Sequence, residues 1–190
     1  MCGRGYSGLL AVLFALLSPL ALFSQELQQL PAASTADPPA PVIRSRPPMP
    51  MLVQAAGTIF SGVVTAITPR PPTRGQSVEA VAITFHVERA IRGVTPGDDF
   101  TISQWIGLWS AGQRYRLGER VLLFLYSPSK LGLTSCVGGQ IGRFAVDSRG
   151  RVLLSALHLS AFRADPVLGG KSSVTFSDFA LAVQRASGEE

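Results

Sequence analysis

The sequence predicts a mainly β domain, an antiparallel barrel or sandwich of about seven short strands with one helix at the C-terminus. Three observations support this prediction. Apolar residues alternate with polar residues over short runs, turn-forming residues separate these runs, and no crossover helix is predicted between consecutive strands. About 140 of the 190 residues, from Met51 to Glu190, are available for a globular unit, which is the size of one ordinary domain.

The strand signals begin at Gly57. Residues 57–67 (GTIFSGVVTAI) are rich in β-branched side chains, and the turn-forming run 68–75 (TPRPPTRG) follows them. Residues 78–89 alternate most regularly, which predicts a strand with one face in the core and His86 on the other face. The predicted core row consists of Val81, Ile83, Phe85 and Val87.

The later strands are shorter. Residues 121–126 (VLLFLY) are apolar throughout, as expected of a central strand that is buried on both faces. The segment 147–150 (DSRG) predicts a tight turn in which the glycine takes a positive φ. The remaining predicted strands are 99–105, 130–135, 140–146 and 152–157.

A helix should close the chain. Thr175 and Asp178 have the spacing of a capping box, in which the threonine side chain accepts from the backbone and the acid reaches back. Gly188 stands where a helix stop is expected. The predicted apolar face consists of Phe176, Phe179, Ala180 and Val183. This face should pack across the barrel or its open end.

The N-terminus resembles an export signal. Arg4 precedes an apolar run of about fifteen residues, 9–23, whereas a helix that spans a bilayer needs about twenty. We therefore predict a signal peptide over 1–24 with cleavage after Ser24, although the cleavage site is open by several residues and an uncleaved anchor is the alternative. Residues 25–50 hold seven of the fourteen prolines and predict a disordered linker to the domain at 51–190. The protein should then act in the periplasm, at the cell surface or outside the cell, without stable membrane insertion.

Composition excludes several classes of site. The chain contains no asparagine, so it has no N-glycosylation sequence and no asparagine in an active site. Two histidines and two cysteines are too few for a zinc finger, and no nucleotide-binding glycine motif is present, so no metal and no cofactor are expected. The net charge is +5, but the arginines are scattered along the chain, which argues against nucleic-acid binding.

Catalytic candidates are few. Ser110 lies in LWSAG, where Leu108 replaces the first glycine of a nucleophile elbow. Cys136 is the single cysteine after the signal; it is either a small buried hydrophobe or a reactive thiol that would pair with His86 or His158, each in or at the end of a predicted strand.

The segment 105–121 is the most unusual in composition. It holds both tryptophans, one tyrosine and three arginines, residue types that are enriched in binding hot spots. The candidate binding residues, on an extended loop, are Trp105, Trp109, Arg114 and Tyr115. The alternative is that these aromatic side chains fold inward and close the barrel. Glu119 and Arg120 should have structural roles, with Arg89 or Arg116 as ionic partners.

A family resemblance rests on three phrases: VERAIRG at 87–93, YRLGERVLLFL at 115–125 and LTSC at 133–136. Together they resemble a group of secreted bacterial domains that look like the netrin-module or TIMP-like OB-fold. The resemblance covers roughly 57–142 and implies a small OB-like Greek-key barrel of about five to seven strands, here with the C-terminal helix. TIMP-type inhibition depends on an N-terminal cysteine that ligates a protease zinc, and the predicted mature terminus has none, so that activity is not expected. Disulfide partners for Cys136 are also missing.

Two functions follow as hypotheses. The first is an exported, non-enzymatic binding or structural module of the cell envelope, whose partner is an envelope protein or a glycan. The second is an envelope enzyme or protease-accessory protein that uses Cys136 or Ser110.

Overall fold

The computed structural model describes residues 49–72 and 78–188. The predicted signal peptide and the linker up to residue 48 lie outside this range. The elements in chain order are α1 Met49–Ala55, β1 Thr58–Arg70, β2 Ala80–Arg92, β3 Asp99–Trp105, α2 Ile106–Ser110, β4 Arg120–Leu125, a 3-10 turn at Gly139–Gly142, β5 Arg143–Val146, β6 Val152–Leu153, α3 Ala156–Ala161, β7 Ser173–Val174 and α4 Phe176–Ser187.

The fold is mainly β, as the sequence predicts. Seven antiparallel strands form one sheet in the order β3-β2-β1-β4-β5-β6-β7. Two isolated bridges connect its parts further: Leu133 pairs in parallel with Ser103 of β3, and Cys136 pairs antiparallel with Leu125 of β4. Residues 133–136 therefore bridge β3 to β4 at two positions beside the main sheet.

Two apolar cores lie on opposite faces of this sheet. Phe60, Phe85 and Leu123 belong to the inner core, enclosed by β1 to β4. Leu122 and Phe124 belong to the outer core, which the helices α1, α3 and α4 cover. Every residue from Val121 to Leu125 is buried, so the prediction that this strand is covered on both faces is confirmed.

The faces of β2 are also as predicted. The whole row of alternate residues that the sequence assigned to the core is buried. On the other face His86 is exposed, and its Nδ1 lies 3.1 Å from Oδ1 of Asp99 on β3. Thr84 on the same outer face hydrogen-bonds to Thr101, with 2.8 Å between their hydroxyl oxygens. Alternation therefore identified both faces of the strand correctly.

Several element predictions need correction. Residues 130–135 form a turn and one bridged residue, Leu133, rather than a strand, because the chain closes on itself at Ser129–Gly132, where Gly132 has φ 71°. The predicted strand 140–146 begins as a 3-10 turn and becomes extended only at Arg143. The predicted strand 152–157 lasts two residues, because Ser155 caps α3, and His158 lies in that helix.

The N-terminal boundary of the domain also shifts. Helix α1 begins at Met49, so Met49 and Pro50, which the sequence assigned to the linker, belong to the folded unit. A proline in the first turn is compatible with a helix, because its missing N–H would have no partner there. Met49, Leu52 and Val53 are buried in the outer core, where α1 packs against α4.

Helix α4 ends the fold largely as predicted. Thr175 Oγ1 accepts a hydrogen bond from the Asp178 backbone N–H at 3.1 Å, and Gly188 ends the helix with φ 72°. The carboxylate of Asp178 forms no return bond to Thr175, so only half of the capping box is present between these two residues. The buried face consists of Phe179, Ala182 and Val183. Among the helices of residues 49–72 and 78–188, none combines the length and the apolar character needed to cross a bilayer.

Candidate functional site

A wide, open groove of about 1190 Å³ lies on the part of the fold that the structure describes. Residues from three stretches of the chain line it: 109–119, 140–145 and 153–158. Three of the four candidate binding residues, Trp109, Arg114 and Tyr115, contribute to this lining, and Trp105 does not. We call this surface the groove.

Hydrogen bonds of one buried glutamine side chain fix the first side of the groove. Gln104 of β3 is fully buried, and its Oε1 accepts a hydrogen bond from Nε1 of Trp109 at 3.1 Å. Nε2 of Gln104 donates in turn to Oε1 of Gln113 at 3.4 Å. The Arg114 Nε donates to the Trp109 carbonyl at 3.0 Å, while the rest of that side chain is exposed. Residues 106–110 are helical, so the predicted extended loop is corrected to a short helix with a fixed turn after it.

Tyr115 belongs to the floor of the groove and is almost completely buried. Its side chain is buried, its ring packs edge-to-face on Phe85 with centroids 5.4 Å apart, and its hydroxyl lies 3.4 Å from Sγ of Cys136. Burial raises the pKa of Tyr115 well above its ordinary value, so the phenol stays protonated. Tyr115 was expected to be an exposed binding residue of the segment 105–121. This expectation is corrected, because the Tyr115 side chain lies in the core and supports the groove from there.

Arg143 connects the two sides of the site. Its Nη2 donates to Oε1 of Glu119 at 2.6 Å, and its guanidinium lies 4.2 Å from the centroid of the Tyr115 ring. The other oxygen of Glu119 accepts from the Arg116 backbone N–H at 3.0 Å. Glu119 thus holds the segment before β4 against β5, with Arg143 as its ionic partner in place of the expected Arg89 or Arg116 side chains. Arg120 pairs with Glu88 at 3.3 Å.

His158 closes the opposite side of the groove as a neutral imidazole. Its Nδ1 accepts from the Ser155 backbone N–H at 3.2 Å, so the ring proton lies on Nε2, which donates to the Gln140 carbonyl at 3.2 Å. The ring stacks on Phe144 with centroids 4.1 Å apart. Burial lowers the pKa of His158, although the bond to the Gln140 carbonyl offsets part of this effect.

Because His158 is buried as a neutral imidazole, we expect the protein to lose stability in acid. Because the pKa of His158 is lower in the folded state than in the unfolded chain, the unfolded state binds the proton first as the pH falls below about 6.5. The free energy of unfolding should therefore decrease from pH 7.5 to pH 5, and His158→Gln should show a shallower decrease. Urea melts at several pH values measure this slope. His86→Gln, at the exposed histidine, is the control, and equal slopes in all three proteins would contradict the assignment.

Of the two interpretations of Cys136, the structure supports the small buried hydrophobe and does not assemble the alternative Cys–His pair among the described residues. Cys136 is buried with Tyr115 as its hydrogen-bond partner, and burial raises the pKa of its thiol. Within residues 49–72 and 78–188 neither His86 nor His158 hydrogen-bonds to Cys136 or to the exposed Ser110. In the same part of the chain no cluster of three or more histidine, cysteine or acidic residues is arranged for a metal ion.

Cys136 should consequently be protected from thiol reagents in the folded protein. A raised pKa keeps the sulfur as the less reactive thiol, and burial blocks access to it. In a Cys2→Ser chain, which removes the other thiol, a chromogenic disulfide reagent should react slowly at neutral pH and rapidly in urea. Tyr115→Phe should remain protected, since the burial persists without the hydroxyl. Rapid labelling of the native Cys2→Ser chain would show that the thiol is accessible.

Trp105 occupies a different place from the other candidates. Its side chain is 51% exposed, and its ring lies against Gly107, where an added Cβ would collide with the indole. It therefore projects beside α2, outside the lining of the groove. Whether any of the four candidate residues binds a ligand stays a prediction.

Sequence reasoning missed Arg116, Arg143, Gln140 and His158 as parts of the groove. A weak signal for Arg143 was available, because Arg120 and Arg143 each stand immediately before an apolar strand. Strands β4 and β5 pair with Arg143 opposite Leu123, and the long Arg143 side chain reaches back to Glu119, at the residue before β4. Neither strand carries a local pattern that specifies this contact.

Comparison with known proteins finds no family model that matches the chain and no curated protein with significant sequence similarity. The resemblance to netrin-module or TIMP-like domains therefore rests on the quoted motifs alone.

Proposed function

We propose that this protein is an exported, non-enzymatic binding module of the cell envelope, and that the groove receives an extended segment of an envelope protein. The observation that carries this proposal is the wide, open groove, which lies on a sheet packed on both faces. Three arginines, one glutamate and Trp109 are among the residues that line it. Binding residues are commonly presented by loops that a rigid scaffold holds in place.

The lining indicates the chemistry of the partner. Arg143 is neutralised by Glu119, so Arg114 and Arg116, both exposed, supply the available positive charge. Leu153, which is 38% exposed, and the half-buried Leu157 add apolar surface on the opposite side. A polypeptide that alternates acidic and apolar side chains would match both features better than an uncharged glycan would.

The alternative of an enzyme that uses Cys136 or Ser110 is supported less well. The buried thiol of Cys136 has a raised pKa, whereas a nucleophilic cysteine needs a lowered one. Ser110 is exposed at the end of α2 without a hydrogen bond to either histidine in the described residues.

Capture from an envelope extract tests the proposal. The full exported chain should retain a specific partner, and the double variant Arg114→Glu/Arg116→Glu should retain at least about tenfold less, since charge reversal replaces attraction with repulsion. Arg163→Glu, at an exposed arginine outside the groove, is the matched control and should behave as the wild type. Equal capture by the double variant would refute the groove as the site. Loss of the partner after glycosidase but not protease treatment would identify a glycan instead.

A further inference from the structure

A second concave site, independent of the groove, lies where β1, β2, β4 and the turn between β5 and β6 meet. It is an open cavity of about 310 Å³. Three arginines from separate parts of the chain line it: Arg89 from β2, Arg120 from β4 and Arg149 from the turn. We call it the arginine cleft.

Only one of these arginines is neutralised within the cleft. Arg120 Nη2 lies 3.3 Å from Oε1 of Glu88, and its Nη1 donates to the Ser148 carbonyl at 3.3 Å. Neither Arg89 nor Arg149 has a guanidinium hydrogen bond to any residue in 49–72 or 78–188. The nearby Asp147 carboxylate accepts backbone N–H groups of Arg149 and Arg151 at 2.8 and 2.9 Å, which directs it into its own turn. Two guanidinium groups therefore remain available at the cleft.

The cleft is held in shape by its surroundings. The Arg89 guanidinium lies 5.2 Å from the centroid of the Phe176 ring of α4, which fixes its direction. The turn approaches Arg89 closely at Gly150, where φ is 74° and an added Cβ would lie 3.4 Å from Arg89 Nη2. A residue with a side chain would be strained there because of the positive φ, whereas its Cβ would make only an ordinary contact with the guanidinium. The predicted 147–150 turn places Arg149 in the lining of the same cleft as Arg89.

Ser61 also lines the cleft, with only 3% of the residue exposed. In the described residues no buried side-chain nitrogen or oxygen lacks a hydrogen-bond partner, so the two arginines, and not an unsatisfied hydroxyl, make the cleft a candidate anion site.

We propose that the arginine cleft binds a doubly charged tetrahedral oxyanion, the phosphate or sulfate group of a larger ligand. Two unneutralised guanidinium groups, from β2 and from the turn, match the charge of such a dianion. They approach from separate elements, so their donors reach oxygens that a single planar carboxylate would not present together. Glu88 disfavours an anion near Arg120 and confines the ligand to the side of Arg89 and Arg149.

Titration with inorganic sulfate and inorganic phosphate at low ionic strength tests this site. Calorimetry with the full chain should show saturable binding of both ions. Arg89→Gln and Arg149→Gln should each weaken it by at least about tenfold, because each removes charge-assisted hydrogen bonds. Glu88→Gln should strengthen it, since a repulsive carboxylate is lost. Arg163→Gln removes the same charge elsewhere on the surface and should leave binding unchanged.

Two further titrations distinguish the source of the oxyanion. Vesicles that contain an anionic phospholipid, against neutral vesicles, test a lipid headgroup, and a sulfated disaccharide tests a sugar ester. The same dependence on Arg89 and Arg149 in either titration supports the site and identifies its ligand. Absence of saturable ion binding, or equal affinity in the wild type, Arg89→Gln and Arg149→Gln, would overturn the proposal. Arg114→Glu/Arg116→Glu should not affect ion binding in the cleft, so the groove and the arginine cleft are tested separately.

Discussion

Replacing Phe85 with alanine should lower the free energy of unfolding by about 3–5 kcal/mol, the usual cost of deleting a fully buried phenylalanine. The ring lies in the centre of the inner core and is fully buried. It packs edge-to-face on Phe60 and on Tyr115, with centroids 5.4 Å away in each case. Its removal would leave a cavity between two aromatic side chains that cannot readily move together, because both are fixed in the same core.

His86→Ala is the matched control for Phe85→Ala, because it changes the adjacent residue on the opposite face of β2. His86 is exposed and contacts Asp99 at the surface, where such pairs contribute about 0–1 kcal/mol. Urea denaturation with unchanged m-values would measure the difference. Comparable losses for the two variants would mean that the inner core does not depend on the Phe85 ring.

Replacing Phe144 with alanine should destabilise the outer core to a similar extent, by about 3–5 kcal/mol. Phe144 is fully buried and has four aromatic neighbours, from β4, α4, and α3 with its C-cap. Its ring centroid lies 4.1 Å from His158, 4.9 Å from Phe179, 5.9 Å from Phe124 and 6.1 Å from Phe162. The variant should also loosen α3, because the stack with His158 holds that helix against β5.

Leu153→Ala is the control for Phe144→Ala. Leu153 lies on the neighbouring strand β6, but its side chain is 38% exposed, so its truncation removes little buried surface. Denaturation gives the stabilities, and hydrogen exchange of the α3 amides reports its local opening. If Phe144→Ala and Leu153→Ala lower the free energy of unfolding by the same amount, Phe144 is not the centre of the outer core.

The parts of the fold that the sequence predicts are those where one local pattern decides the outcome. The alternation in 78–89 identifies both faces of β2, and the continuous apolar run 121–125 indicates a strand that is buried on both sides. Thr175 and Gly188 mark the ends of α4 because capping and a positive φ are properties of single residues and their immediate neighbours. Each of these features can be read without knowing where the rest of the chain lies.

The missed elements depend on contacts between distant residues. Helix α3 has a capping box in which His158, rather than glutamate or glutamine, returns the bond to Ser155, so the usual pattern does not reveal it. Helix α1 has seven residues among prolines and is stabilised by packing on α4. Residues 130–135 have strand-like composition, but Gly132 and the Ser129 turn limit their pairing to single bridges.

For the groove, composition identified one side and not the other. Trp109 and Arg114 stand out in a segment that is dense in hot-spot residue types, and the structure places both on the groove. Tyr115 belongs to the same segment, yet the residue type does not distinguish an exposed ring from a core ring. Arg143 and His158 join the site through the register of β5 and the start of α3, which no local pattern specifies.

Strand β4 and the first half of β1 are buried on both faces of the sheet, so they contribute to the inner core and to the outer core. Neighbouring residues on one strand, such as Ile59 and Phe60, contribute to opposite cores. A chain truncated after Gly139 would still contain β1 to β4. It would expose the apolar side chains of Ile59, Leu122 and Phe124 on one face of the sheet. Surfaces of that kind promote self-association. The segment after residue 139 therefore covers, through β5, α3 and α4, a face of the sheet that would otherwise be exposed to solvent.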